Sequence, residues 1–327
     1  MSLTPQASTY LPGYDFKQYL ETIGTMHPFV VDLIDQERGL HGDGYSEMLN
    51  KISWEFESGD KSGRGEAYNR AQMSADNHGI GIIALMGCFS ANNQIPDESF
   101  VILDALAGDG TVSRYLRSTE GPCPTLISAD MSGFMVEACL RQGFPCIRQS
   151  ATQSLLKDEV LDGVLIAFGS HHIDNRGRQV ACAEAFRTLK PRGRLVLQDY
   201  EIGGTMEKWF KNVVDPFSST GHDHPHFSRE EMFSLLVRAG FRDVRVFDMG
   251  TPLTWSGQTA SEAVLNAVSN MYYTFDLTKI SNDPSQIISR TETYIRNTLG
   301  DIAVHEAGGG YVAMIESPAL VAVGVKV

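Results

Sequence analysis

Asp104 closes an apolar run, Phe100-Val-Ile-Leu-Asp104. A glycine-bearing turn, Ala105-Leu-Ala-Gly108-Asp-Gly110, separates it from a helix-forming stretch at 112–116. Strand, acid, glycine turn and helix is the order of a nucleotide-binding crossover, because glycine lets the backbone turn sharply and approach a ligand closely. Taken alone, the glycine pair is equally the mark of a plain tight turn. Asp130 lies 20 residues beyond Gly110, at the end of a second apolar run, Leu126-Ile-Ser-Ala-Asp130. A carboxylate there can accept both ribose hydroxyls of an adenosine over the first turn; otherwise it caps the helix that follows.

Acid–base chemistry has three candidates further along. His171 and His172 follow Phe168-Gly-Ser, and an imidazole titrates close enough to neutrality to act as a general base; the alternative is a structural pair. Asp199 ends a later apolar run and is placed to orient a substrate or accept a proton, or to cap a loop. Gly221-His-Asp-His-Pro-His226 gathers three imidazoles and a carboxylate. Its spacing fits no zinc signature, so no metal is expected, and the segment reads as a loop facing substrate or solvent.

The elements that must hold these residues alternate. Strands are expected at 100–105, 125–129, 146–149, 161–168 and 194–198, with helices at 112–117, 134–142, near 153–157 and at 178–189. That rhythm implies a parallel sheet with right-handed crossovers and a ligand crevice at the carboxyl ends of the strands. Ser228-Arg-Glu-Glu231 reads as a capping box opening a helix that stops at Gly240, followed by a strand at 244–247 and a last strand at 319–327. Residues 15–97 read as mostly helical: Phe16, Tyr19, Leu20 and Ile23 share one helix face, and 80–89 reads as a buried helix.

Residues 98–201 resemble the class I S-adenosylmethionine-dependent methyltransferases. Asp104-Ala-Leu-Ala-Gly108-Asp-Gly110 matches the family's acid-x-Gly-x-Gly-x-Gly at the acid and the last two glycines, with Leu106 in the place of the first. Asp130 is the second-strand acid. Ser150-Ala151 stands where family members often have an acid–small pair, so the carboxylate near adenine is missing. Phe168-Gly-Ser-His-His-Ile173 and Phe186-Arg-Thr-Leu-Lys-Pro-Arg-Gly-Arg-Leu-Val-Leu-Gln-Asp199 resemble two further family segments, in the right order.

The resemblance covers about a third of the chain. It implies a doubly wound, Rossmann-like seven-stranded α/β sheet with S-adenosylmethionine held by Asp104, Ala105, Gly108, Gly110, Asp130, Met131, Ser150, Ala151, Phe168 and Gly169, and catalytic candidates His171, His172 and Asp199. A dinucleotide fits less well. Ser113 occupies the third glycine's place, and Asp109 would sit beside a pyrophosphate.

Outside that core the expected divisions are a helical N-terminal cap at 1–97, the core at 98–251, a helical insertion over the active site at 252–312 and a last core strand at 313–327. Aromatics crowd both flanks: Tyr10, Tyr14, Phe16, Tyr19, Trp54, Phe56 and Tyr68, then Trp255, Tyr272, Tyr273 and Phe275. Some would line a water-excluding pocket and favour a sulfonium by cation–π attraction, which suits a small-molecule acceptor.

A net charge of −13 over 327 residues argues against nucleic acid. Five cysteines without a C-x-x-C pair, no signal pattern and no long apolar span argue for a cytoplasmic protein with no membrane partner. A homodimer is compatible with this reading. The leading expectation is methyl transfer to a small natural-product or amino-acid-like acceptor. The rivals are cyclisation of the cofactor to azetidine-2-carboxylate with release of methylthioadenosine, and a non-catalytic cofactor-binding module.

Overall fold

Strand β1 (Val101–Asp104) is the centre from which the chain winds outward. It is followed by β2 (Thr125–Asp130), β3 (Cys146–Arg148), β4 (Leu161–Ile166), β5 (Leu189–Asp199), β6 (Arg242–Gly250), β7 (Leu253–Gly257), β8 (Ala303–Ala307), β9 (Gly310–Ile315) and β10 (Pro318–Val325). The computed structural model describes residues 9–40, 43–52, 56–57, 65–72 and 75–327. Seven strands form one sheet in the order β3-β2-β1-β4-β5-β10-β6. The β1–β2, β2–β3, β1–β4 and β4–β5 pairs are parallel, whereas β10 lies antiparallel between β5 and β6. The expected Rossmann-like seven-stranded sheet is therefore present.

Winding reverses between β1 and β4: the chain moves one way through β2 and β3, then returns to β4 and β5. A crevice forms at such a switch point because the two adjoining crossovers leave on opposite faces. Residues 319–323 of β10 are all buried, as a strand paired on both edges and covered on both faces must be.

Local chemistry explains most boundaries. Helix Gly133–Arg141 starts where Ser132 Oγ accepts from Met135 N, and helix Asn175–Thr188 where Asp174 accepts from Gly177 N. Helix Arg229–Ala239 ends at Gly240, whose φ of 107° is left-handed. The capping box expected at its start is only half made. Ser228 accepts from Glu231 N, but the Glu231 carboxylate turns to Arg178 at 2.8 Å, a charge-assisted bond that outcompetes the neutral backbone donor.

Nor is there a helix near 153–157. Gln149 Oε1 accepts from Leu155 N and Glu184 Oε2 from Ser154 N, which satisfies that backbone in extended form. Leu155 and Leu156 are both buried, which extended chain between two layers allows.

The segment after β6 departs from the all-helical expectation. Helices Ala260–Thr274 and Ile287–Thr298 are there, but so is a three-stranded antiparallel sheet, β7-β9-β8. Ala307 pairs with Gly310 around Gly308 and Gly309, both at positive φ, a two-residue hairpin turn that only such residues adopt easily. This layer forms its own core around Leu253, Trp255, Met271, Leu277 and Ile295, joined by Trp209 and Phe210 from the segment after β5.

The N-terminal helices Phe16–Met26 and Pro28–Leu33 pack on the outer edge near β3 instead, where Tyr19 OH donates to Cys146 O at 2.8 Å. Trp54 and most of the 57–66 segment lie outside the described residues.

Candidate active site

The first turn is built to approach something closely. Gly108 and Gly110 have φ of 54° and 89°. A Cβ on Gly110 would lie 2.7 Å from Cys139 Sγ, so glycine is required there twice over, by conformation and by packing. Gly108 faces the Tyr68 ring, 3.6 Å from where its Cβ would stand.

Asp130 fastens the turn, accepting from Gly108 N at 3.0 Å through Oδ2 and from Ser132 N at 2.8 Å through Oδ1. Each oxygen keeps a further lone-pair direction. The cap of the following helix is Ser132, not Asp130. Burial, ahead of other influences, raises the Asp130 carboxyl to about 6 despite the two amides that lower it.

Asp104 ends β1 fully enclosed. Burial raises it to about 7, against the lowering effect of the Leu106 amide. Its Oδ2 has no hydrogen-bond partner. A buried carboxylate oxygen without a donor fits an ammonium, and the adjoining glycine turn with Asp130 fits an adenosine ribose. The donor set present therefore suits S-adenosylmethionine, whose aminoacyl end supplies the missing cation.

Met131 directly follows Asp130, and its carbonyl accepts from Arg148 Nε at 3.0 Å. Ala105 N is bound by Leu165 O, locking the strand end. Ser150 and Ala151 follow β3; Ser150 N is engaged by Tyr45 OH and its hydroxyl by Thr152, while Ala151 packs against the core.

Phe168, after β4, is held at a φ of 59°, a costly conformation for an aromatic residue, with its amide on Gln198 Oε1 at 2.9 Å. His78, half-buried, packs on its ring at 5.4 Å, and desolvation lowers that imidazole to about 4. Gly169 leads into the short turn Ser170–His172.

Here the catalytic candidates meet. Asp199, at the end of β5, accepts from Ser170 Oγ (2.6 Å), His171 N (2.7 Å), Tyr200 N (2.7 Å) and His171 Nδ1 (2.9 Å). Burial alone would raise its carboxyl; the His171 charge and these hydrogen bonds outweigh that and hold it at about 2. The Asp199 carboxylate faces the His171 imidazole. Its lone pairs are spent on His171 and its neighbours, so it orients the imidazole. With Nδ1–H on Asp199, the neutral tautomer of His171 carries its lone pair on Nε2.

The 222–226 segment folds onto the same spot. His171 lies 4.5 Å from His172 and 5.0 Å from both His222 and His226, ring centre to ring centre; His172 lies 4.4 Å from His224. Phe210 stacks on His222 at 4.3 Å.

Arg178 ties the two histidine segments together. It donates to Ile173 O at 2.9 Å, to the Pro225 carbonyl and to Glu231, and lies over the Phe227 ring at 3.7 Å. Sequence reasoning missed Arg178, Glu57 and His78. Arg178 sits in an ordinary helical stretch, and no motif announced its reach.

Phe56 and Glu57 link the neighbourhood of Asp130 to the histidines. Phe56 O accepts from Ser132 Oγ at 2.8 Å, its ring meets Tyr68 at 5.4 Å and His172 at 5.3 Å, and Glu57 accepts from Gly133 N at 2.9 Å.

Residues 103–197 match the model of a methyltransferase domain. The chain is 27% identical over 171 residues to a ubiquinone/menaquinone biosynthesis C-methyltransferase of Syntrophotalea carbinolica, a match covering 45% of this chain and 71% of that protein. It is 30% identical over 99 residues to a demethylmenaquinone methyltransferase of Mycobacterium tuberculosis, covering 30% of this chain and 40% of that one. The YcgJ protein of Bacillus subtilis aligns over 75% of this chain and 98% of its own, at 16% identity and a TM-score of 0.48. The matched segment runs from β1 to β5, with the acid, the glycine turn and the second acid each in their structural places, so residues 103–197 form a methyltransferase domain of the class I S-adenosylmethionine-dependent type.

Proposed function

We propose that this protein transfers a methyl group from S-adenosylmethionine to a small molecule held under the cap, with His171 as the group that meets the acceptor. The observation that carries the reading is the Asp199–His171 pair, set at the ends of β5 and β4 beside the glycine turn. When bound, the cofactor supplies an electrophilic methyl on a sulfonium.

The chain's own residues do the rest. Asp104 receives the ammonium and Asp130 the ribose hydroxyls. Phe168, fixed by Gln198, and Gly169 flank the aminoacyl part. His171 Nε2, oriented by Asp199, takes the proton of an acidic acceptor hydroxyl or amine, and Phe56, Tyr68 and Phe210 keep water out. Support for a small acceptor is the roof built by both flanks, and the matched relatives carry names of quinone-pathway methyltransferases. Neither is named as a cyclase or lyase.

The test is mass spectrometry of products from the protein with S-adenosylmethionine alone and with fractionated metabolites. S-adenosylhomocysteine formed only with an acceptor, alongside a metabolite heavier by one CH2, is expected. Methylthioadenosine from the cofactor alone would overturn the proposal. Asp130→Ala should weaken cofactor binding about 100-fold, the loss of two hydrogen bonds to a charged group.

A further inference from the structure

We propose that His171, His172 and His222 bind one divalent transition-metal ion of the zinc or cobalt type. Each offers a ring nitrogen, and these atoms lie within 4.8 Å of one another. A tetrahedral ion with nitrogen ligands at about 2.1 Å needs them about 3.4 Å apart, so rotation of the rings has to draw them in by no more than about 1.4 Å.

Asp199 has already prepared one ligand. A histidine that gives Nδ1–H to a carboxylate presents Nε2 in the correct tautomer and orientation, which is the usual outer arrangement around metal-bound imidazole. A second grouping, His171, Asp199 and His226, shares the same place. There Asp199, whose two oxygens already accept four hydrogen bonds, would have to surrender at least one of them to become a ligand, so it serves as the orienting group.

His226 supplies an independent sign. Its ring is only 3% exposed, it stands 5.0 Å from His171, and its Nε2 has no hydrogen-bond partner. A buried imidazole nitrogen without a partner is costly, and an oxygen held at the fourth position of an ion on His171 would satisfy it.

Ligand chemistry selects the ion. Imidazole suits zinc, cobalt and nickel, whereas magnesium and calcium prefer oxygen. Three protein nitrogens leave a fourth position for an oxygen of the acceptor, whose hydroxyl such an ion would acidify; with the ion bound, that acidification replaces proton uptake by His171 Nε2, whose one lone pair the ion takes. That last role rests on the methyl-transfer reading; the binding does not.

The full chain, stripped with a chelator, is titrated with Co2+ and followed by visible absorption, then with Zn2+ in competition. One equivalent with intense tetrahedral ligand-field bands, displaced by Zn2+, is expected. Only the weak spectrum of the hydrated ion would overturn the proposal.

His222→Ala should lower affinity at least about 100-fold, and Asp199→Asn about 10- to 100-fold, the loss typical of an outer partner. His305→Ala, on the exposed strand β8, should change nothing. Unaltered bands in His222→Ala would equally overturn it. Cofactor affinity, measured on each protein by calorimetry, reports folding and the methyl-transfer reading separately. Wild-type protein that binds Co2+ but not S-adenosylmethionine sinks the function and leaves the metal site standing.

Discussion

Asp104 and Gly110 show how much a single position can decide. Burial holds the Asp104 carboxyl at about 7, above its value in an unfolded chain. The ligand-free fold therefore retains a proton there that the unfolded chain gives up. The stability associated with neutral Asp104 declines as pH rises from about 4 to about 7.

Cofactor affinity runs the other way, because an ammonium needs the ionised carboxylate. Calorimetric titrations should show S-adenosylmethionine binding tightening as pH rises through about 7, and Asp104→Asn should weaken binding and flatten the profile. A step that persists in the variant would refute the assignment.

Gly110→Ala forces a methyl to 2.7 Å from Cys139 Sγ at a φ of 89°. It should cost about 1–3 kcal/mol in denaturant unfolding, from backbone strain and overpacking together. A neutral result would mean that the turn is not held as described.

Among elements, the loop between the end of β5 and helix Arg229–Ala239 matters most, because it brings three histidines to a site already holding two. Its anchors include Phe227 N to Tyr200 O, Ile202 N to Phe227 O, His222 N to Asp215, and the reach of Arg178 to Pro225. Arg178→Met keeps the packing on Phe227 and removes the hydrogen bonds. The variant should lose at least about 10-fold in kcat while cofactor affinity stays within about twofold, since the cradle belongs to β1 and β2. Equal losses in both would place Arg178 in general stability instead.

The half-made capping box belongs to the same story. Glu231 gives up the local backbone donor of its own helix to hold Arg178.

At the scale of the whole molecule, the two flanks meet although they are far apart in sequence. Helix Gly65–Gln72, which carries Tyr68, packs against helix Ala260–Thr274 of the segment between β7 and β9. Trp209 and Phe210 root that segment's core beside the histidines. If the acceptor binds beneath both flanks, as proposed above, binding should order both at once. Hydrogen exchange should show joint protection of Gly65–Gln72 and Ala260–Thr274 on adding S-adenosylmethionine. Protection confined to β1, β2 and their turns would show that the flanks act independently of the cofactor. Among the described residues, no helix is long and apolar enough to cross a membrane.

Much of this was legible in the linear chain. Apolar runs ending in Asp104, Asp130 and Asp199, glycines at the first turn and the alternation of strand and helix follow from local rules of burial and backbone freedom. Those rules act over a few residues and survive without knowledge of the fold. Even the Gly308-Gly309 hairpin left a local signal that the helical reading of its surroundings overrode.

Tertiary structure alone decided which polar groups meet. Asp199 and His171 are 28 residues apart, and His171 and His222 another 51, so no spacing rule links them. They converge because β4 and β5 are parallel neighbours whose ends open on one edge, and because Arg178 draws the later loop down onto it. Asp199 thus meets the His171 imidazole, and the histidine-rich loop meets two more imidazoles from another part of the chain.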